Sequence, residues 1–90
     1  MMRNSGLNKL VEELGELCQI AGKKLSYMDT DKHPDVNGSM DFRLEQEMGD
    51  VLAAIEFCAK KLELDYQTIK TQMALKLLRF EEWDSDGDEK

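Results

Sequence analysis

Apolar residues recur at three- and four-residue spacing in three stretches of the chain, which is the pattern of helices that bury one face. The predicted helices run from about Leu7 to Leu25, from Ser39 or Asp41 to about Leu62, and from Asp65, as the cap, through Tyr66 to Trp83. The polar segment 29–39 contains the only proline and is predicted to be a loop. The alternation typical of strands is almost absent, so the expected fold class is all-α, with about three helices per chain.

Three helices of this length cannot enclose a large core. Four apolar side chains fall on the outer helix faces and would stay exposed in a monomer: Phe57, Leu75, Leu78 and Trp83. We therefore expect a homodimer or homotetramer in which a second copy completes a four-helix core. We expect one domain, 1–83, followed by an acidic disordered tail, 84–90.

The charge balance limits the kinds of partner. Nineteen acidic residues face 12 basic ones among 90 residues, giving a formal net charge of −7. Such a surface repels phosphate backbones and argues against binding to a nucleic acid polymer. It still permits a small phosphate ligand that is bound through a metal ion.

Two features suggest a cytoplasmic protein with no membrane partner. No apolar run approaches the roughly 18–20 residues of a membrane helix, and the N-terminus has no signal-peptide pattern. Cys18 and Cys58 lie in apolar helical patterns and are expected to be small buried side chains in a reducing compartment, with a disulfide as the less favoured alternative.

Carboxylates on the first two helices do not fit a solvated face. Glu12, Glu13 and Glu16 form a strip beside the apolar stripe centred on Leu14, where they repel one another. Glu47 falls inside the apolar arc of the second helix. A buried, ionised Glu is costly unless it is paired or binds a metal.

Two antiparallel helices would place Glu13 and Glu16 opposite Glu47 and Asp50. Four hard oxygen donors of this kind suit Mg²⁺ or Mn²⁺. The alternative is that Glu47 pairs with a base, for which Arg43, Lys60 and Lys61 are candidates. Zinc and di-iron sites are disfavoured because the single histidine, His33, lies in the loop.

Lys76 lies on the half-apolar face of the third helix, between Phe80 and Trp83. Its ammonium group either reaches past the apolar surface to water or neutralises a phosphate beside a metal site.

Two motifs carry a resemblance to a known family. The residues Glu12-Glu13-Leu14-Gly15-Glu16 match EExxE, and Glu47-Met48-Gly49-Asp50 match ExxD. With the intervening loop and the third helix, the chain resembles the MazG-like branch of the all-α NTP pyrophosphohydrolase superfamily over most of its length. It departs from the family in two places: few residues precede Glu12, and Ala74 stands where an Asn is frequent.

The resemblance implies Mg²⁺-dependent hydrolysis, with Mn²⁺ as an alternative, of a (deoxy)nucleoside triphosphate to the monophosphate and pyrophosphate. A deoxynucleotide is favoured, with a slight preference for a purine such as dGTP. The similarity to short phage-borne members suggests control of a nucleotide pool. The implied metal ligands are Glu13, Glu16, Glu47 and Asp50, and Glu12 would hold a second metal or position water. Lys76 would bind phosphate, with Arg79, Lys23 and Lys24 as further candidates.

Two other functions remain open. One is the related phosphoribosyl-ATP pyrophosphohydrolase activity, which uses the same scaffold. The other is a non-catalytic helical interaction module that uses its acidic face to bind a partner.

Overall fold

The three predicted helices are present. A computed structural model describes residues 2–85 and contains α1 (Met2–Ser26), α2 (Met40–Leu62) and α3 (Tyr66–Ser85). Within these residues the β-structure is limited to one isolated bridge between His33 and Val36. The all-α fold class is therefore confirmed for the described chain.

The helix bounds follow the predicted ones with two extensions. Helix α1 begins at Met2, before the expected start at Leu7. Helix α3 continues to Ser85, so Asp84 and Ser85 are helical and do not belong to the expected acidic tail. The remainder of that tail, 86–90, lies outside the described residues.

Side-chain caps explain where α2 and α3 begin. The Ser39 hydroxyl accepts a hydrogen bond from the Phe42 backbone N–H at 3.0 Å. The Asp65 carboxylate accepts one from the Gln67 backbone N–H, also at 3.0 Å. Each bond satisfies a backbone donor that has no partner inside its helix, which is how Ser and Asp fix helix starts.

Glu63 ends α2 in the left-handed conformation, with φ 57° and ψ 44°. The next residue, Leu64, donates its backbone N–H to the Ala59 carbonyl at 2.9 Å. This hydrogen bond gives a partner to a carbonyl at the end of α2, and the left-handed conformation of Glu63 turns the chain towards α3.

Helices α1 and α2 form an antiparallel hairpin. Gly6 near the start of α1 lies against Cys58 and Lys61 near the end of α2. At the other end, Lys24 Nζ is 2.8 Å from Asp41 Oδ1. The buried residues all lie in this hairpin: Gly6, Ile20, Met40, Glu47, Val51, Ala54, Cys58 and Ala59.

The face that α1 turns towards α2 differs from the predicted one. Leu14, the expected centre of the stripe, is 47% exposed, and Val11 is 68% exposed. The half-buried side chains are instead Leu10, Glu13 and Leu17. The apolar stripe of α1 is wide, and its periodicity does not indicate which edge contacts the neighbouring helix.

The two cysteines have different environments. Cys58 is buried in the hairpin, as predicted, whereas Cys18 is exposed, so the prediction for Cys18 was wrong. The reason is the rotation of α1 described above, which turns this side of the helix towards solvent. Both thiols are free.

Helix α3 buries none of its residues within the described chain. Six of its large apolar side chains are each more than half exposed: Met73, Leu75, Leu77, Leu78, Phe80 and Trp83. The expectation that Phe57, Leu75, Leu78 and Trp83 stay exposed in a single chain is confirmed. None of the helices in residues 2–85 has the length and apolarity needed to cross a membrane.

Gly6 sets the closeness of the two helices. A Cβ at this position would lie 3.0 Å from Cys58 Cα and 3.1 Å from Lys61 Cβ. Gly6→Ala should therefore push the helices apart and lower the free energy of unfolding by about 1 kcal/mol or more, measured by urea denaturation.

Gly22→Ala is the matched control, because a Cβ there meets no heavy atom within 4 Å. This substitution should raise the free energy of unfolding by about 0.5–1 kcal/mol, since alanine favours the helix. Equal gains for both variants would contradict the close approach at Gly6.

Candidate metal centre

Four carboxylates converge in the middle of the hairpin. Helix α1 contributes Glu13 and Glu16, and α2 contributes Glu47 and Asp50. Residues three apart share one face of a helix, and the antiparallel packing turns the two faces together. One oxygen from each side chain lies within 4.8 Å of the other three. The expected convergence of these four residues is therefore present.

Glu47 is the most buried member, with the residue only 5% exposed. Its Oε2 accepts a hydrogen bond from Arg43 Nε at 3.1 Å. Its Oε1 is buried and has no hydrogen-bond partner among residues 2–85. The ion pair with Arg43 was the alternative explanation of Glu47, and it accounts for one of the two oxygens.

The other two candidate bases are engaged elsewhere. Lys60 Nζ lies 3.6 Å from the Glu56 carboxylate, and Lys61 Nζ lies 5.4 Å from the centre of the Phe57 ring. Arg43 is thus the base that pairs with Glu47, and a full carboxylate oxygen is left for another ligand.

Glu13 shows the same lack of a partner. Its Oε1 is also buried and makes no hydrogen bond within the described chain. Burial raises the pKa of this carboxyl above 4.5, and the negative charges of Glu16 and Asp50 raise it further, followed by those of Glu12 and Glu47. The cluster therefore favours a positive charge, supplied by a proton or by a cation.

The donor set fits a hard divalent cation. Mg²⁺ binds oxygen at about 2.1 Å, so ligands on opposite sides of the ion stand about 4.2 Å apart. The 4.8 Å span of the four oxygens needs only small side-chain adjustments to reach that distance. All four donors are carboxylates, which favour Mg²⁺ or Mn²⁺ over metals that prefer imidazole or thiolate.

Glu12 stands outside the four-carboxylate cluster. Its side chain is 54% exposed and pairs with Lys9 Nζ at 3.0 Å. Its expected role with a second metal or with water stays a prediction.

Of the four predicted phosphate-binding bases, Lys23 lines a cavity that adjoins the cluster, whereas Lys24, Lys76 and Arg79 do not. Lys24 pairs with Asp41 at 2.8 Å and lies 3.9 Å from Asp31, so it holds the loop to α1. Lys76 Nζ on α3 is 6.0 Å from the centre of the Phe80 ring. Lys76 and Arg79 line neither of the two cavities that adjoin the carboxylates.

The first of these cavities, the polar cavity, has a volume of about 180 Å³. It lies between α1, α2 and the connecting loop and shares Glu16 and Glu47 with the cluster. Its other polar lining residues are Gln19, Lys23, Asp35, Asn37 and Arg43.

The second, the apolar cavity, is shallower and measures about 300 Å³. It shares Glu13 and Asp50 with the cluster, and its remaining lining residues are Lys9, Ala53, Ala54 and Phe57. Each cavity thus contains two of the four carboxylates, one from each helix.

The loop that walls the polar cavity is tied to both helices. The Asp31 carboxylate accepts a hydrogen bond from the Asp41 backbone N–H at 2.7 Å. A side-chain hydrogen bond with Ser39 lowers the pKa of Asp31, and the Asp41 N–H and Lys24 lower it further. These contacts hold 31–41 as a closed loop, from which Asp35 and Asn37 line the cavity.

His33 has a structural place in this loop. Its ring lies 4.5 Å from the Tyr27 ring in an edge-on arrangement, and its Nδ1 accepts a hydrogen bond from the Asp35 backbone N–H at 3.0 Å. These contacts explain the histidine without a catalytic role.

Sequence reasoning missed Gln19, Asn37 and Phe57 as neighbours of the cluster. Gln19 is three residues after Glu16, so helical spacing could have found it. Phe57 is seven residues after Asp50, two turns along the same face of α2, so the same spacing could have found it. Asn37 carries no such signal, because the path of the loop places it there.

Comparison of the chain with models of known protein families, with curated proteins and with solved structures finds no match.

Removing one charge from the cluster should stabilise the metal-free protein. Because the pKa of Glu13 is raised on folding, its ionised form opposes folding at neutral pH. Glu13→Gln should therefore raise Tm at pH 7 in the presence of a chelator. The gain should shrink as the pH falls towards 4, because Glu13 in the parent becomes protonated first in the folded state and then in the unfolded state.

Thermal unfolding followed by circular dichroism between pH 4 and pH 8 tests this expectation. Glu12→Gln, outside the cluster, should show no gain at pH 7, because it loses the ion pair with Lys9. A Glu13→Gln variant that is less stable than the parent at pH 7 would show that the cluster carries no repulsion.

Proposed function

We propose that this chain is a metal-dependent pyrophosphohydrolase of (deoxy)nucleoside triphosphates, of the MazG-like kind. The observation that carries the proposal is the buried Oε1 of Glu47, which has no hydrogen-bond partner in residues 2–85, on a side chain that converges with three further carboxylates. A buried carboxylate oxygen without a partner is costly, and a bound cation would remove that cost. The two short motifs that supply these residues support the reaction class.

The four carboxylates of the cluster would hold Mg²⁺ or Mn²⁺. When bound, a divalent cation neutralises phosphate charge and lowers the pKa of a coordinated water. Arg43 holds one oxygen of Glu47 and leaves the other for a ligand. The buried Ala54 lines the apolar cavity beside Glu13 and Asp50.

The proposed reaction adds water across the anhydride between the α- and β-phosphates and releases a monophosphate and pyrophosphate. A deoxynucleotide is the proposed substrate, with dGTP as the first to test, and the cytoplasm is the proposed location. Lys76 and Arg79 can contribute to phosphate binding only if the α3 of this chain or of another copy lies against the hairpin.

A second copy is the proposed cover for the apolar surface of α3. Six large apolar side chains on this helix are more than half exposed, and such a surface is unusual on a stable monomer. Sedimentation equilibrium should give at least twice the 10.3 kDa of one chain. A monomer at micromolar concentration would overturn this part of the proposal.

The same exposed helix supports the alternative function, a non-catalytic module that binds another helical protein. The two functions separate in one assay. Pyrophosphate release should be measured with each dNTP, each NTP and phosphoribosyl-ATP, in Mg²⁺ and in Mn²⁺. Release from none of these would reject the enzyme and favour the module.

Glu47→Gln should reduce pyrophosphate release by roughly a hundredfold or more, because removing even an outer contact of a metal site costs about 10–100-fold. The helix content should be unchanged, since the lost ion-pair partner, Arg43, has a side chain that is 54% exposed. Glu45→Gln is the matched control, because Glu45 is exposed on the same helix and lies outside the cluster.

The control variant should keep parental activity and parental Mn²⁺ affinity. Normal activity per folded molecule in Glu47→Gln would mean that Glu47 serves only its ion pair with Arg43.

A further inference from the structure

The two cavities beside the cluster differ in chemistry. Besides Glu16 and Glu47 of the cluster, the polar cavity contains one further carboxylate, that of Asp35, together with two basic side chains and two amides: Lys23, Arg43, Gln19 and Asn37. The apolar cavity has Ala53, Ala54 and the ring of Phe57. A nucleoside triphosphate also has two chemically different ends, a flat base and a polyanionic tail.

We infer that the substrate lies across the hairpin with its nucleoside in the apolar cavity and its leaving diphosphate in the polar cavity. This inference rests on the proposed function. It assigns Phe57 as the residue on which the base stacks and Lys23 as a ligand of the leaving phosphates.

The shape of the cavities supports this orientation. The polar cavity is enclosed between α1, α2 and the connecting loop. The apolar cavity is more open to solvent, so a nucleoside can extend beyond it.

The ion pairs of the basic side chains near the cluster support this orientation of the substrate as well. Lys9 also lines the apolar cavity, but its ammonium group is held by Glu12 at 3.0 Å. Lys23 is half-buried and forms no ion pair with any residue in 2–85. It is therefore the basic group beside the cluster that can take a phosphate without losing a carboxylate partner.

The position of the cluster completes the argument. Glu13 and Asp50 border the apolar cavity, and Glu16 and Glu47 border the polar one. An anhydride placed at the four carboxylates would have its nucleoside on one side and its diphosphate on the other.

The test titrates the two products separately onto the protein in Mg²⁺ by isothermal calorimetry, with dGMP and inorganic pyrophosphate as probes. Phe57→Ala should weaken the affinity for dGMP by about fivefold or more, since stacking on an aromatic ring contributes about 1–3 kcal/mol per base. The affinity for pyrophosphate should stay within twofold of the parent value. Lys23→Gln should weaken the affinity for pyrophosphate by about tenfold and leave the affinity for dGMP within twofold.

Phe42→Ala and Lys32→Gln are the matched controls, because both residues are exposed and line neither cavity. They should leave both probes unchanged, and circular dichroism should show that all four variants are folded. The inference would be overturned if each variant weakened the binding of both probes equally, or if Phe57→Ala weakened pyrophosphate and Lys23→Gln weakened dGMP. Either result would leave the proposed function standing. A parent protein that binds Mg²⁺ but neither probe would overturn the proposed function together with the inference.

Discussion

Mutual repulsion among the four carboxylates is the constraint on which the rest of the hairpin depends. An ordinary helix pair would place apolar side chains where Glu13 and Glu47 face each other. Here each of them has a buried oxygen without a hydrogen-bond partner in the described chain. Arg43 satisfies only the second oxygen of Glu47. Such an arrangement is unfavourable as a purely structural core, and the proposed divalent cation would make it favourable.

The scaffold around these carboxylates is built to hold them. Gly6 allows close packing at one end of the hairpin, and the Lys24–Asp41 ion pair joins the other end. Met40, fully buried, fixes the start of α2 beneath the loop. These contacts at both ends of the hairpin fix the position of α1 along α2. The four carboxylates converge because this register is fixed.

Much of the fold could be predicted from the sequence because its signals are local. Ser39 and Asp65 cap the helices that follow them, and the spacing of Glu47 within an apolar arc predicted its burial. The set of four carboxylates followed from the i, i+3 spacing on two antiparallel helices. Each of these inferences uses residues within one or two helical turns.

The features that were missed depend on how the helices are rotated against each other. Leu14 and Cys18 lie on the apolar side of α1, yet the edge that contacts α2 carries Leu10 and Leu17 instead. The neighbour Asn37 comes from the loop, whose path no periodicity encodes. The exposure of α3 likewise depends on tertiary contacts, which the spacing of its apolar residues does not encode.

Diffraction from crystals soaked in Mn²⁺, collected at a wavelength where manganese scatters anomalously, tests the central claim most directly. The account predicts an anomalous peak among the four carboxylates, about 2.2 Å from an oxygen of Glu47 and within reach of Glu13, Glu16 and Asp50. A map with well-ordered carboxylates and no peak at saturating Mn²⁺ would contradict it, and the buried oxygens would then need protons in place of a metal.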